Sequence, residues 1–285
     1  MIQSMTGFGK HVIQLPTKKI TVELKSLNSK SLDLNARMPS AYREKELELR
    51  KTIASSLSRG KVDFGLYVEF TGDETSAEVN ELAVINYMNQ LRSIAGGDEL
   101  KLLDMALRMP DALKTEREDI DEEEFGHIQT AVSEALKEIN KFRTEEGGVL
   151  ERDFLMRIEN LQNLLKRVET MDPDRQKEVR ERLNKAVSDI KADVDANRFE
   201  QELIYYLEKY DITEEKVRLA NHLKYFSETL GSSDSNGKKL GFISQEIGRE
   251  INTIGSKANY APMQQLVVQM KDELEKIKEQ MLNVL

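Results

Sequence analysis

The order of apolar and polar positions predicts strands and one helix within the first 72 residues. Apolar residues alternate with polar ones over residues 20–25, and the clearest alternation in the chain covers residues 62–70. This pattern is typical of half-buried strands. Residues 2–14 have a mixed apolar character that also favours a strand, whereas the spacing over residues 41–58 is helical. We therefore expect the order strand, strand, helix, strand.

Beyond a polar linker at residues 73–78, the pattern becomes almost entirely helical. Two helices are expected over residues 79–95 and 99–109, because a glycine pair separates two stretches with helical spacing. The linker marks the expected boundary between an N-terminal domain of residues 1–72 and a helical domain of residues 79–285.

Two stretches of the helical domain have the spacing of a coiled coil. Residues 127–200 carry apolar positions at alternating steps of three and four, interrupted by Met-Asp-Pro-Asp at residues 171–174. This predicts an antiparallel coiled-coil finger that turns at residues 171–174. Three regular heptads follow Pro262, so that helix must bury its seam on the chain's own finger or on another subunit. The fold class is therefore α+β, with a small N-terminal β-containing domain followed by a long helical domain.

Two further helices, at residues 211–230 and 238–257, carry mixed charges beside their apolar stripes. In a helical projection of about 100° per residue, the polar positions of each helix fall within a narrow arc. The first arc holds Asp211, Glu215, Arg218 and His222, and the second holds Glu246, Arg249, Glu250, Thr253 and Lys257. If the apolar stripes pack together, the polar stripes border one groove. Residues at this spacing are most often exposed ion pairs worth a few tenths of a kcal/mol each.

These stripes contain the residue types of a phosphate-processing site. Carboxylates and a neutral imidazole bind divalent cations, so the candidate metal ligands are Asp211, Glu215, His222, Glu246 and Glu250. Such a cation can activate water and stabilise charge on a phosphoryl oxygen. His222 can instead act without metal, as a general base. Arg218, Arg249 and Lys257 can hold phosphate or orient the carboxylates.

Composition narrows the classes of protein that need to be considered. The 285 residues include no Cys and no Trp, which excludes disulfides, thiolate nucleophiles and zinc–thiolate sites. The sequence has no apolar stretch long enough for a membrane span and no secretion signal at its N-terminus, so we expect a cytoplasmic protein. The net charge of −9 requires that any nucleic acid bind a local basic patch or rely on bound cations.

Such a patch is available in the N-terminal domain. Lys and Arg neutralise phosphates, while Asn and backbone N–H groups position them. The candidate residues are Lys25, Asn28, Lys30, Arg37, Arg59 and Lys61. The alternative is that Arg-Gly-Lys at residues 59–61 only ends a helix and begins a strand.

Several motifs, in order along the chain, resemble the YicC/YloC family of bacterial proteins. They are SMTGFGK, VELKSLNSKSLDLNARMP, LSRGKVDF, RTEEGGVL, DITEEKVRLANHL and KKLGFISQEIGREINTIGSKA. The resemblance implies a metal-dependent endoribonuclease that assembles as a hexamer. The chain departs from the family pattern at residues 28–32, where NSKSL replaces NhRyL, so an aromatic ring is lost there and Arg becomes Lys.

Together these observations predict an endoribonuclease that cleaves single-stranded or small RNA with Mn²⁺ or Mg²⁺. The expected catalytic residues are Glu215, His222, Glu246, Arg249 and Glu250. Arg218 and Lys257 join the basic patch in binding RNA, and we expect a homohexamer. The alternative is an RNA-binding adaptor that uses the same patches, needs no metal and presents small RNA to a separate nuclease. A purely structural coiled-coil scaffold fits less well, because it needs no imidazole facing carboxylates.

Overall fold

The computed structural model describes residues 2–71, 78–114, 121–189, 196–232 and 237–285. The strands are β1 (Gly7–Gln14), β2 (Lys18–Leu27), β3 (Leu32–Arg37), β4 (Gly60–Phe70), β5 (Glu78–Val79) and β6 (Leu113–Lys114). The helices are a 3₁₀ helix (Ser40–Lys45), α1 (Glu46–Ser56), α2 (Glu81–Ala95), α3 (Glu99–Leu107), α4 (Glu122–Asp189), α5 (Ala196–Lys209), α6 (Thr213–Leu230), α7 (Gly237–Ala258) and α8 (Ala261–Met281). The α+β class predicted from sequence is therefore confirmed.

The chain divides into two compact units. One, here called the sheet unit, comprises Gly7–Asn140, and the other, the helical unit, comprises Met1–Thr6 and Lys141–Leu285. The expected domain boundary at residues 73–78 instead falls inside the sheet unit, and residues 72–77 lie outside the described residues. The difference arises because the first part of α4 contributes Phe125, Ile128 and further apolar side chains to the core beneath the sheet.

The sheet unit is built on four strands in the order β1-β2-β4-β3. β1 and β2, and β2 and β4, pair antiparallel, whereas β3 lies parallel to β4. Apolar residues on one face pack against α1 and the first part of α4 to form a core that includes Ile20, Val22, Leu24, Ile53, Val62, Phe64, Leu66, Ile128 and Ile139. The opposite face carries alternating exposed side chains, as expected for an antiparallel sheet with one solvated side.

The expected strands are present, although the first begins at Gly7 rather than at residue 2. The helix expected over residues 41–58 forms as a 3₁₀ helix followed by α1, and β3 was not predicted. Its sequence, LDLNAR, buries none of its side chains completely, which explains the weak signal. α2 and α3 form as expected and share a small core of Val84, Ala106 and Ala112.

One core holds the helical unit together. It joins the middle of α4 to α6, α7 and α8 through buried side chains that include Phe154, Leu161, Leu223, Phe226, Ile247, Ile251, Met270 and Leu274. The heptad seam of α8 is therefore covered within the same chain, which is the first of the two arrangements expected from its regularity. The stretch between α6 and α7 includes residues 233–236, which lie outside the described residues.

The predicted turn at residues 171–174 is wrong, because α4 continues as one helix through Pro173. A proline inside a helix removes one backbone hydrogen bond and costs about 3 kcal/mol. Buried contacts on both sides compensate for this, since Val168 and Val179 are buried and Asp172 pairs with Arg175 at 2.7 Å. Arg175 also donates to the carbonyl of Tyr210, just beyond α5, at 2.9 Å. The chain thus returns to the level of Arg175 by the end of α5.

The first residues of the chain belong to the helical unit. Ser4 donates its N–H to the carbonyl of Arg143 on α4 at 3.0 Å and forms an isolated β-bridge with Val284. Gly147 makes this approach possible, because a Cβ there would lie 2.2 Å from the carbonyl oxygen of Ile2.

No helix among the described residues combines the length and the apolar character that a membrane span requires.

Candidate active site on two antiparallel helices

Two side-chain contacts define how α6 and α7 run relative to each other. Lys257, near the end of α7, donates to Glu215, near the start of α6, at 2.7 Å. Lys239, near the start of α7, lies over the ring of Tyr225, with its Nζ 4.8 Å from the ring centroid. The helices are therefore antiparallel, and the two polar stripes meet at one end of the pair through Glu215 and Lys257.

Glu215 is a buried carboxylate that already has a cationic partner. Its side chain is 8% exposed, whereas that of Lys257 is 33% exposed. One carboxylate oxygen, Oε1, accepts from Lys257, while Oε2 is buried without a hydrogen-bond partner among the described residues. This pairing neutralises Glu215 and places its unpartnered oxygen beside the ammonium group of Lys257.

His222 on α6, and Glu246, Arg249 and Glu250 on α7, lie between the residues that make the two contacts. The imidazole is partly exposed and forms no hydrogen bond or ion pair with any residue that the structure describes. Glu250 is 8% exposed and likewise has no partner within the described part of the chain. Glu246 instead pairs with Arg249 at 2.6 Å, with 40% and 71% of their side chains exposed. No described residue therefore engages the imidazole of His222 or the carboxylate of Glu250.

The remaining members of the first stripe have roles at the surface of α6. Arg218 forms an exposed ion pair with Glu214, one turn earlier on the same helix. Asp211 accepts hydrogen bonds from the N–H and the hydroxyl of Thr213, at 3.1 and 2.7 Å, and so caps the start of α6. Burial opposes the ionisation of Asp211, but the Thr213 hydrogen bonds and the charge of Lys216 outweigh it, and the pKa of this carboxyl lies below its ordinary value.

The residues expected to bind a metal do not come together as one set of ligands. Asp211 caps a helix, Glu215 is paired with Lys257 and Glu246 is paired with Arg249. Within the described ranges, no three His, Asp or Glu side chains are arranged to hold a metal ion.

The predicted basic patch lies in the sheet unit and is split along β3. Lys25 and Lys61 point to the open face of the sheet near the point where β3 and β4 begin, with Lys61 opposite both Leu27 and Asp33. Arg37 lies at the far end of β3, about 16 Å from Leu32 at 3.3 Å per residue.

The cations of this patch differ in how strongly they are already engaged. Arg59 donates to the carbonyl of Ser29 at 2.8 Å, which ties it to the β2–β3 connection that carries Asn28 and Lys30. Lys25 lies 3.5 Å from Glu23. Lys30 and Lys61 are exposed and form no ion pair with another described residue. Arg37 is likewise exposed and without an ion pair among the described residues, so these three cations are the most available to a phosphate.

Sequence reasoning missed two features of the helical unit. The first is a buried network in which Asp172 accepts from both Arg175 and Lys216 at 2.7 Å. It joins α4 to α6, and a pair so far apart in sequence gives no local signal. The second is the Tyr225–Lys239 contact at the end of the polar stripes. Extending the helical projection by one turn places both residues beside these stripes.

A groove between α4 and α8, lined by Asn160, Arg167, Gln269 and Glu273 among others, contains none of the predicted site residues. The candidate site is thus an open stripe along α6 and α7. An extended polymer can lie along such a surface.

Comparison with known proteins agrees with this arrangement of two parts. A family model described as the N-terminal region of YicC-like endoribonucleases matches residues 2–152, and a model described as their C-terminal part matches residues 168–285. Two relatives, each named probable endoribonuclease YicC, come from Clostridioides difficile and Haemophilus influenzae. They are 34% and 31% identical to this chain, and each alignment covers 100% of both proteins. The chain therefore belongs to the family of YicC-like endoribonucleases.

Proposed function

We propose that this protein is an endoribonuclease that cleaves single-stranded RNA on the polar stripe of α6 and α7. The proposal is supported by its full-length similarity to two probable endoribonucleases. The observation that carries it is His222, a partly exposed imidazole without a partner among the described residues, on the helix that pairs with the one bearing Arg249 and Glu250. The sequence contains only two other histidines, His11 and His127, and both belong to the sheet unit.

The chemistry that this set of residues supports best is attack by the 2′-hydroxyl of RNA. A neutral imidazole accepts the proton of that hydroxyl as a general base, so the O2′–P bond forms while the P–O5′ bond breaks. The leaving oxygen takes a proton from solvent, and the products are a 2′,3′-cyclic phosphate and a 5′-hydroxyl. Arg249, which is 71% exposed, stabilises the negative charge that develops on the phosphoryl oxygens.

Replacing His222 with Ala tests the assignment of the base. General acid–base catalysis contributes about 10²–10⁴ in rate, so we expect cleavage of a short single-stranded RNA to slow at least about a hundredfold. His127→Ala is the matched control, because His127 is also a partly exposed histidine on a helix. Full activity in the His222 variant contradicts the proposed mechanism.

The nature of the products gives an independent test. A single 2′-deoxynucleotide at the cleavage site removes the attacking hydroxyl and should abolish cleavage there, and the products should end in cyclic phosphate. Cleavage that continues at the deoxynucleotide, leaves a 5′-phosphate and stops with a chelator contradicts the 2′-hydroxyl route. That result supports the Mn²⁺ or Mg²⁺ requirement predicted from sequence.

Glu246→Gln separates an active site from a salt-bridged surface. The change preserves size and hydrogen bonding but removes the charge that holds Arg249 at 2.6 Å. We expect RNA affinity to stay nearly constant and the cleavage rate to fall at least about tenfold. If the stripe were only an exposed ion pair, the change would alter stability by a few tenths of a kcal/mol and leave the rate unchanged. A highly purified protein that binds RNA but never cleaves it would instead be the adaptor.

A further inference from the structure

Two aromatic rings are exposed at the end of the candidate site. The side chain of Phe242 on α7 is 67% exposed, and that of Tyr225 on α6 is 45% exposed. Phe242 therefore contributes little to the core, although its neighbours Ile243 and Ile247 are buried in it. Lys239 lies over the ring of Tyr225, 4.8 Å from the centroid, so ring and cation form one unit that bridges the two helices.

These rings continue the polar stripes. In the projection of α7 at about 100° per residue, Phe242 falls about 20° from Arg249 and about 40° from Glu246. Tyr225 follows His222 by three residues on α6, which is less than one helical turn. A ligand that reaches His222 and Arg249 therefore meets Phe242 and Tyr225 next along the same surface.

The charges around the rings favour a polyanion. Lys238 and Lys239 precede Phe242 on α7, and neither forms an ion pair with a residue that the structure describes. Arg249 follows on the same stripe, and Glu246 is the acidic group closest to Phe242 along it, already paired with Arg249. Burial of Lys238 and Lys239 against an apolar protein surface would remove two unpaired cations from water, which is unfavourable. A second copy of the chain is therefore a poor occupant of this surface.

We propose that Phe242, Tyr225 and Lys239 form a base-binding subsite for single-stranded RNA beside the candidate active site. Sites for single strands combine aromatic rings, on which bases stack, with cations that follow the backbone. Phe242 stacks on one base, and Lys239, held over Tyr225, faces the adjacent phosphate. The bases of a duplex are already stacked on each other, so the subsite selects unpaired RNA. This inference rests on the proposed function, because it places the reacting phosphate between the subsite and His222.

Affinity measurements test the subsite without cleavage. The ligands are a single-stranded 2′-O-methyl oligonucleotide, which lacks the attacking hydroxyl, and the same sequence as a duplex, each followed by fluorescence anisotropy. Loss of a base–aromatic stack lowers the affinity about tenfold or more. Phe242→Ala and Tyr225→Ala should therefore raise Kd for the single strand about tenfold and change Kd for the duplex less than twofold. Val268→Ala is the matched control, because Val268 is a 64% exposed apolar residue on α8, and it should leave both affinities unchanged.

A tryptophan at this position reports stacking directly. The chain contains no Trp, so the emission of Phe242→Trp comes from the subsite alone. Binding of the single strand should quench it, and an oligonucleotide with abasic positions should not. Unchanged affinity of both alanine variants together with unquenched emission overturns the subsite. That result would leave the proposal that His222 catalyses cleavage standing. If Phe242→Ala lowers the mass measured by light scattering and leaves Kd unchanged, the ring is a subunit contact and the proposal is wrong.

Discussion

Replacement of Asp172 with Ala should destabilise the helical unit more than any change at an exposed ion pair. Asp172 accepts from Arg175 and from Lys216, both at 2.7 Å. The side chains of Asp172 and Arg175 are 3% and 1% exposed, and that of Lys216 is 17% exposed. The variant therefore leaves one guanidinium buried without its carboxylate, while Lys216 can still turn towards water.

The magnitude follows from this difference in burial. Removal of one partner from a buried pair lowers the free energy of unfolding by about 3–5 kcal/mol. Because Lys216 can turn towards water, we expect a loss near the lower end of this range, at about 3 kcal/mol. With a urea m-value of about 3 kcal/mol/M, the unfolding midpoint should fall by about 1 M. Asp172→Asn retains the size of the side chain and one acceptor oxygen, so its loss should be smaller.

Urea unfolding followed by circular dichroism at 222 nm measures this shift. Asp104→Ala is the matched control, because Asp104 pairs with Arg108 at 3.0 Å with 64% and 77% of their side chains exposed. Exposed pairs contribute about 0–1 kcal/mol, so the control midpoint should hardly move. If unfolding proceeds in two transitions, the shift belongs to that of the helical unit. Equal shifts in the two variants would refute the reasoning that the buried network holds α4 to α6.

Three further predictions concern RNA binding, the first residues of the chain and assembly. Lys30→Ala with Lys61→Ala should weaken binding of all single-stranded sequences about equally and lower the salt slope by about 1.4, at 0.7 for each phosphate contact. Lys51→Ala, an exposed lysine on α1, is the control, and an unchanged slope in the double variant would show that the patch binds no phosphate. Gly147→Ala places a Cβ 2.2 Å from the carbonyl of Ile2 and should lower the unfolding temperature, whereas its neighbour Gly148 has open space at that position. Gly148→Ala should therefore stabilise α4 by up to about 1 kcal/mol, and the same sign for both glycines would contradict the close approach. Light scattering at micromolar concentration should give the mass of a hexamer, and a stable monomer would contradict the assembly predicted from the family resemblance.

Periodicity predicted most of the fold because most elements bury one regular face. The strand over residues 62–70 and the stripes of α6 and α7 were found this way, since their apolar positions repeat in register with the strand and helix periods. β3 was not predicted because it buries no side chain completely. The turn at residues 171–174 was inferred from local proline chemistry, and the buried Asp172–Arg175 pair outweighed it.

The two helices of the candidate site were predictable, but the pairings between them were not. The helical projection placed Glu215 and His222 on one helix and Glu246, Arg249 and Lys257 on the other, and α6 and α7 carry them so. The pairing of Glu215 with Lys257 depends on the direction and offset of the two helices, which no local pattern contains. That pairing engages one of the five carboxylate and imidazole groups that were expected to bind a cation.

The place of residues 2–6 has a consequence for the order in which the protein folds during synthesis. Met5 donates to the carbonyl of Asn283, and Leu285 donates to that of Gln3, at 2.8 and 3.0 Å, so the two ends of this sequence hold each other. The sheet unit, Gly7–Asn140, is complete once its last residue leaves the ribosome and can fold at that point. The few residues that precede it must wait for the other end of the sequence. Until residues 283–285 have been synthesised, residues 3–5 of a nascent chain lack the backbone partners that hold them in the folded protein.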